Sequence, residues 1–191
     1  MADFLIAYNK TGKIEGLWSN DKDDSGGETV FGIARNYWPN WSGWKIIDEQ
    51  KSKHNFPKNI SDVEDKIEPL VYQFYKTKFW DVIKGDFLLD QNIANELYDT
   101  GVNFGIKRAI EFAQEACNLL NNSGKLYAEI DVDGKFGDAT LKTINSHPHK
   151  DTLFKVLNLL QGEAYINICR KNRTQEKYLR GWVNNRVITN V

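Results

Sequence analysis

The chain has 191 residues, 41% apolar and 27% charged, with a formal net charge of −1. That size suits one compact domain, or two small ones sharing a core. The near-neutral balance gives no argument for nucleic acid or an anionic membrane as a partner. No apolar run approaches a membrane span. Residues Met1–Asp3 lack the basic start of a secretory signal.

The first predicted element begins at Phe4. Phe4, Tyr8, Thr11, Glu15 and Trp18 recur at steps of three and four, which places them on one helical face. Glu15 then falls near a helix C-terminus beside an aromatic. Both surroundings disfavour ionisation of a carboxyl, and a carboxylic acid held neutral near pH 7 is what a general acid requires. Asp21, Asp23, Asp24 and Glu28 follow, crowded around Ser25-Gly26-Gly27. The glycine pair permits a tight turn. Thr29-Val30-Phe31 favours extended structure, Gly32 breaks it, and a second helix is expected from Ile33. This folding brings Asp24 and Thr29 back toward Glu15. Asp23 reads as a turn-former and Glu28 as an exposed side chain.

Residues 35 to 60 read as irregular, with Trp38-Pro39 stopping the preceding helix. Trp38, Trp41 and Trp44 fall three apart, either as the aromatic lip of a groove or as anchors of a loop. Ser61 and Glu64 have capping-box spacing ahead of a helix carrying Ile67, Leu70, Val71, Phe74 and Tyr75. Pro69 either kinks that helix or marks its first turn. Asp90 is positioned to cap the next helix, in which Asp99, Gly101, Asn103 and Gly105 interrupt the apolar pattern. Asp99 and Asn103 are expected as buried hydrogen-bonding residues.

Asn121–Lys125 is an expected loop. Asp133-Gly134 makes a turn and Asp138 opens a helix. Asp131 and Asp133 hint at a calcium loop, but the later acidic ligands are missing. His147 and His149 flank Pro148 and are expected at the surface. A last helix spans about 152 to 171, with Leu153, Val156, Leu157, Leu160, Ala164 and Ile168 on its apolar face. Cys117 and Cys169, each within an apolar pattern, are expected as buried free thiols. With no CxxC and no His/Cys cluster, no metal site is argued.

Glu15, Asp24 and Thr29 together resemble the Glu/Asp/Thr set of phage-type lysozymes. The segment Glu15-Gly16, Trp18, Asn20-Asp21, Asp24, Gly26-Gly27, Thr29, Phe31-Gly32-Ile33 resembles more specifically the signature of glycoside hydrolase family 108, lysozyme-like N-acetylmuramidases. The chain departs from that signature at Leu17, Lys22, Ser25 and Ala34. Further resemblances lie in Phe74–Asp81, in Asp99-x-x-Val102-Asn103-x-Gly105, and in the Asp133-Gly134 to Leu141 turn-to-helix element of peptidoglycan-binding domains. The close Gly181-Trp182 to Arg186-Val187 also matches, with one extra residue.

The resemblance implies an all-α, lysozyme-like fold with a small β element near residues 24 to 33, in two lobes around a groove with Glu15 at its floor. It implies a catalytic part over 1–88 and a helical peptidoglycan-binding-like part over 89–191. It implies hydrolysis of the β-1,4 bond between N-acetylmuramic acid and N-acetylglucosamine in peptidoglycan strands. Glu15 would be the general acid, Asp24 (or Asp21) the second carboxylate, and Thr29 the residue orienting water. Trp18, Asp21, Phe31 and Trp44 are the expected substrate contacts. No metal or organic cofactor is needed. Without a secretory signal, a holin-type release or another export route is implied. A wall-binding or secretion-associated protein without catalysis, and a lytic transglycosylase, are the competing expectations.

Overall fold

A computed structural model describes residues 1–11, 18–20 and 26–187. The described residues form eight α-helices and one three-stranded antiparallel sheet, an all-α architecture with a small β element, as expected. Packing divides the chain into two compact units. One joins residues 1–11 to 79–191 and the other spans 12–78. This partition by packing differs in kind from the division by activity, 1–88 and 89–191, expected above.

In the unit spanning 12–78, strands β1 (Trp18–Ser19), β2 (Thr29–Val30) and β3 (Ile33–Ala34) lie in that order. Trp18 pairs with Val30, and Val30 with Ile33. Trp18 is therefore on a strand, not on the face of the first helix, which ends as α1 (Phe4–Thr11). The helix expected from Ile33 is absent for a related reason. Phe31 and Gly32 both take positive φ, 47° and 75°, the geometry of a two-residue hairpin turn whose twist matches its strands. Ile33 thus returns along β2, where it is fully buried. Residues 35 to 60 are more regular than expected and contain α2 (Gly43–Lys51).

A 3₁₀ turn, Lys58–Val63, leads into α3 (Glu64–Tyr75). The capping box does not form. Ser61 Oγ donates to the Lys58 carbonyl inside the 3₁₀ turn, and the residue preceding α3 is Val63, with no side-chain cap. Pro69 sits within α3 rather than at its start. Val30, Ile33, Ile47, Ile60 and Ile67 are buried as this unit's core.

In the other unit, α4 (Gln91–Phe104) is central, packing on α1, α5 (Ile106–Leu119) and α7 (Lys150–Lys171). Asp90 caps α4 as expected, its carboxylate accepting from Ile93 N at 3.0 Å. The helix runs through Gly101 and stops at Gly105, φ 86°. A Cβ on Gly101 would meet Ile106 Cδ1 at 3.1 Å, so this glycine lets α5 approach closely. Asn103, expected buried, is exposed and donates to the Asp99 carbonyl one turn back. Phe4 packs against Trp80 and Tyr98, with ring centroids 5.6 and 5.7 Å away.

The segment after α5 is clamped by amide side chains. Asn121 brackets Tyr127 through both its N–H and its carbonyl. Gln114 Nε2 donates to Asp133 Oδ1 at 2.9 Å, and its oxygen accepts from Gly134 N at 2.9 Å. This latches the Asp133-Gly134 turn ahead of α6 (Asp138–Ser146). His147 departs from expectation: it is 2% exposed, and its Nδ1 accepts from His149 N. Cys117 and Cys169 are buried and free.

The buried face of α7 is Leu153, Leu157, Asn158, Gln161, Tyr165 and Cys169. Val156, Leu160, Ala164 and Ile168 are half-buried. The rotation toward polar side chains places Gln161 within 3.0 Å of Asp99 Oδ2. A further helix, α8 (Glu176–Trp182), follows. It stacks Trp182 on Tyr165, centroids 4.7 Å apart, while Arg186 pairs with Asp99 at 2.7 Å. The closing Gly-Trp to Arg-Val segment is thus a structural fastening onto α4 and α7.

Candidate active site

Glu15, Asp21 and Asp24 lie outside the described residues, as do Leu17, Lys22, Asp23 and Ser25. What the structure describes is the hairpin that follows them in the chain. Gly27, φ 66°, opens it, and a Cβ there would meet Asn36 Nδ2 at 2.8 Å. Arg35 N donates to the Glu28 carbonyl and Asn36 N to the Gly26 carbonyl, so the glycine turn is tied to the chain leaving β3.

The hairpin is held by a charged cluster that sequence reasoning missed. Glu28, expected exposed, is 8% exposed. Trp18 Nε1 donates to its Oε1 at 2.9 Å, and Lys51 Nζ donates to its Oε2 at 2.6 Å. Arg35 Nε lies 2.7 Å from the same Oε2, an ion-pair contact without hydrogen-bond alignment. Arg35 also grips Asp48 with two N–H groups, at 3.1 and 2.6 Å, a bidentate geometry that fixes orientation. Burial raises the Glu28 pKa, but the hydrogen bonds from Lys51 and Trp18 and the charges of Arg35 and Lys51 outweigh it, leaving the carboxyl below its usual range. Glu28 is therefore an ionised structural anchor, with neither the proton of a general acid nor free access to water. The only cue in the sequence is the later Arg35 and Lys51, residue types that ordinarily face solvent.

The expected substrate-contacting residues separate into two groups. Trp18 stands on β1, its ring edge-on to Phe56 at 5.1 Å. Phe31 occupies the hairpin turn at φ 47°, in a region that side chains other than Gly, Asn and Asp rarely enter. Tyr75 Oη donates to the Phe31 carbonyl at 3.0 Å and holds that turn. Thr29 Oγ1 donates to the Gly27 carbonyl at 3.2 Å, which fixes the hydroxyl and leaves its lone pairs to accept. Trp44 belongs elsewhere. It is 3% exposed, its indole N–H donates to the Trp38 carbonyl at 2.7 Å, and Arg35 lies 4.1 Å over its ring. Trp44 anchors the loop from beneath and has no face for a ligand.

Of the three tryptophans spaced by three, Trp38 and Trp41 present surface. With α3 they wall a cavity of about 420 Å³. Among the described residues no group of three or more His, Cys, Asp or Glu could hold a metal ion, and no helix is long and apolar enough to cross a membrane.

Comparison with known families matches residues 8–105 to the model described as Glycosyl hydrolase 108. The chain belongs to glycosyl hydrolase family 108. Residues 108–187 match a second model, described as a predicted peptidoglycan domain. No curated protein matches in sequence. Among solved structures, SagA of Brucella abortus is similar in fold, with a TM-score of 0.56 at 16% identity, covering 97% of this chain and 96% of that one. The fold is therefore the all-α, lysozyme-like one. As a family 108 member the protein is a glycoside hydrolase, and the peptidoglycan domain in the same chain gives peptidoglycan as the polymer it acts on. The hydrolase match contains the whole Glu15 to Ala34 segment and the Glu28–Arg35 cluster that braces the hairpin.

Proposed function

We propose that this family 108 hydrolase cleaves the β-1,4 bond between N-acetylmuramic acid and N-acetylglucosamine, with Glu15 as general acid. The observation that carries the reading is the order of the two matches, hydrolase over 8–105 and peptidoglycan domain over 108–187, in one chain. Glu15 protonates the glycosidic oxygen as the bond to the anomeric carbon breaks. A second carboxylate, Asp24 or Asp21, stabilises the oxocarbenium-like transition state or takes a proton from the attacking water. The hydroxyl of Thr29, already oriented by the Gly27 carbonyl, accepts a hydrogen bond from that water. Trp18 and Phe31 contact sugar rings. In this reading residues 1–88 carry the catalysis and 89–191 the wall contact, and the protein reaches peptidoglycan outside the cytoplasm by holin-type release or another export route.

Product chemistry tests the reaction. Hydrolysis adds one water across the broken bond, so muropeptides end in a reducing sugar. Products lacking that water, the anhydro-muramyl ends of a transglycosylase, would overturn hydrolysis. The anomer first released, read by NMR, separates retention, with carboxylates ~5 Å apart, from inversion at ~6.5–9.5 Å.

A further inference from the structure

The cavity between the 37–42 loop and α3 lies wholly in the unit spanning 12–78, where the sequence suggested no more than a groove lip or loop anchors. Its volume, about 420 Å³, is within the range of small-molecule sites. Trp38 is held edge-on by Phe74, centroids 4.9 Å apart at 86°, and Trp41 edge-on by Trp44, 5.2 Å at 90°. These contacts fix both indole planes. Asn40 and Gln73, both exposed at the rim, bring amide donors and acceptors to a surface otherwise aromatic. Fixed aromatic faces bordered by amides suit a pyranose, which offers a C–H face to a ring and hydroxyls to polar neighbours.

Charge narrows the class. Of the eleven residues lining the cavity, Lys78 alone is charged. Its ammonium lies 5.6 Å from the Trp38 ring centroid, and among the described residues no carboxylate pairs with it. A neutral sugar would leave that cation, which lies over the Trp38 ring, without a counter-charge, whereas a sugar carrying a carboxylate beside its apolar face would supply one. Resting on the peptidoglycan reading above, we infer that this cavity is an accessory subsite for a muramyl unit. Its N-acetyl sugar lies on Trp38 and Trp41, and a carboxylate of its stem peptide faces Lys78. The loop is tied to the catalytic hairpin through Trp44, which donates to the Trp38 carbonyl and lies beneath Arg35, the partner of Glu28. A strand seated there is therefore registered against the hairpin.

The test uses the ¹⁵N-labelled full chain carrying Glu15→Gln, so that ligand is not consumed, and follows the indole N–H resonances of Trp38 and Trp41. A disaccharide-tetrapeptide muropeptide is expected to shift both in a saturable way. Lys78→Glu should weaken that binding about tenfold or more with the remaining spectrum unchanged, because Lys78 is exposed. Chitotetraose, which has no carboxylate, should bind more weakly and be indifferent to Lys78→Glu. Tyr37→Ala, at a residue 62% exposed on the same rim, should weaken both ligands severalfold. Indole resonances unmoved by millimolar muropeptide, or an equal Kd in Lys78→Glu, would overturn the subsite. Digestion of sacculi by wild type is scored alongside. Products with Lys78-independent binding remove the subsite alone. Lys78-dependent binding without products removes the hydrolytic reading alone.

Discussion

Two buried glutamates, one in each packing unit, titrate in opposite directions. Glu28, in the unit spanning 12–78, is held ionised by Lys51, Trp18 and Arg35, below the usual carboxylate range. Glu96, on α4, is 6% exposed, and its Oε1 has no hydrogen-bond partner among the described residues. Burial, reinforced by the negative charge of Asp99 one turn away, pushes it up to about 8 despite Lys10 and Asn158. The difference follows from what each unit has to work with. Strands two residues long cannot hold a hairpin by themselves, so charge contacts add to the small core around Val30 and Ile33. The helical unit has Ile93, Ala94 and Leu97 buried along α4, and that packing tolerates a costly polar group. Charge braces the hairpin of the first unit and burdens α4 in the second.

Removing each glutamate should therefore have opposite consequences. Glu28→Ala leaves Arg35 and Lys51 facing a part-buried void, and loss of one partner of a buried pair typically costs about 3 kcal/mol. Urea unfolding should show that loss at pH 7. Because the folded pKa is depressed, this stabilisation is complete above the unfolded value of about 4.3. It fades as pH falls through the lower folded value. The stability gap between wild type and variant should accordingly close in acid. A variant as stable as wild type at pH 7 would mean that the charged cluster does not organise the hairpin.

Glu96→Gln should act with the reverse sign. The folded carboxyl keeps its proton up to about 8, while the unfolded one releases it near 4.3. Wild-type stability is thus greatest below the unfolded value and declines as pH rises toward 8. The amide avoids that decline, so the variant should gain about 2 kcal/mol at pH 8, less than the full shift would give because a buried cluster relaxes. Below pH 4 the two should match. Thermal melts at both pH values read this, and equal melting temperatures at pH 8 would break the contrast between the two glutamates.

The smallest effect belongs to a feature both units could share. Asp90→Ala removes a helix cap and should lower stability by about 1 kcal/mol at neutral pH, with Asp90→Asn recovering most of it. Denaturant midpoints at equal slope would show this.

Legibility in the sequence divides along the same line. The helix after Asp90, the last helix over about 152 to 171, the Asp90 cap and the Asp133-Gly134 turn all follow from local chemistry, which periodicity and turn residues display directly. The hairpin did not. Phe31-Gly32 is an unusual turn pair, because the positive-φ first position normally carries Asn, Asp or Gly, so Ile33 read as the start of a helix. Glu28 read as exposed because its partners, Trp18, Arg35 and Lys51, come from three separate segments. The capping box at Ser61 failed because a 3₁₀ turn engaged the hydroxyl first. Trp44 shared the spacing of Trp38 and Trp41, but spacing along an irregular loop does not say which ring faces inward. Of the expected site, Trp18 falls on β1, Thr29 and Phe31 on the hairpin, Trp44 beneath the 37–42 loop, and Glu15, Asp21 and Asp24 outside the described residues.

The central claim, that Glu15 is the acid of a muramidase, is tested most directly by digesting purified peptidoglycan with wild type and with Glu15→Gln and reading the products by mass spectrometry. The account predicts reducing muropeptides from wild type and a rate at least about a hundredfold lower from the variant, with both proteins melting alike. Equal product release by the two would contradict it and move the acid to another residue.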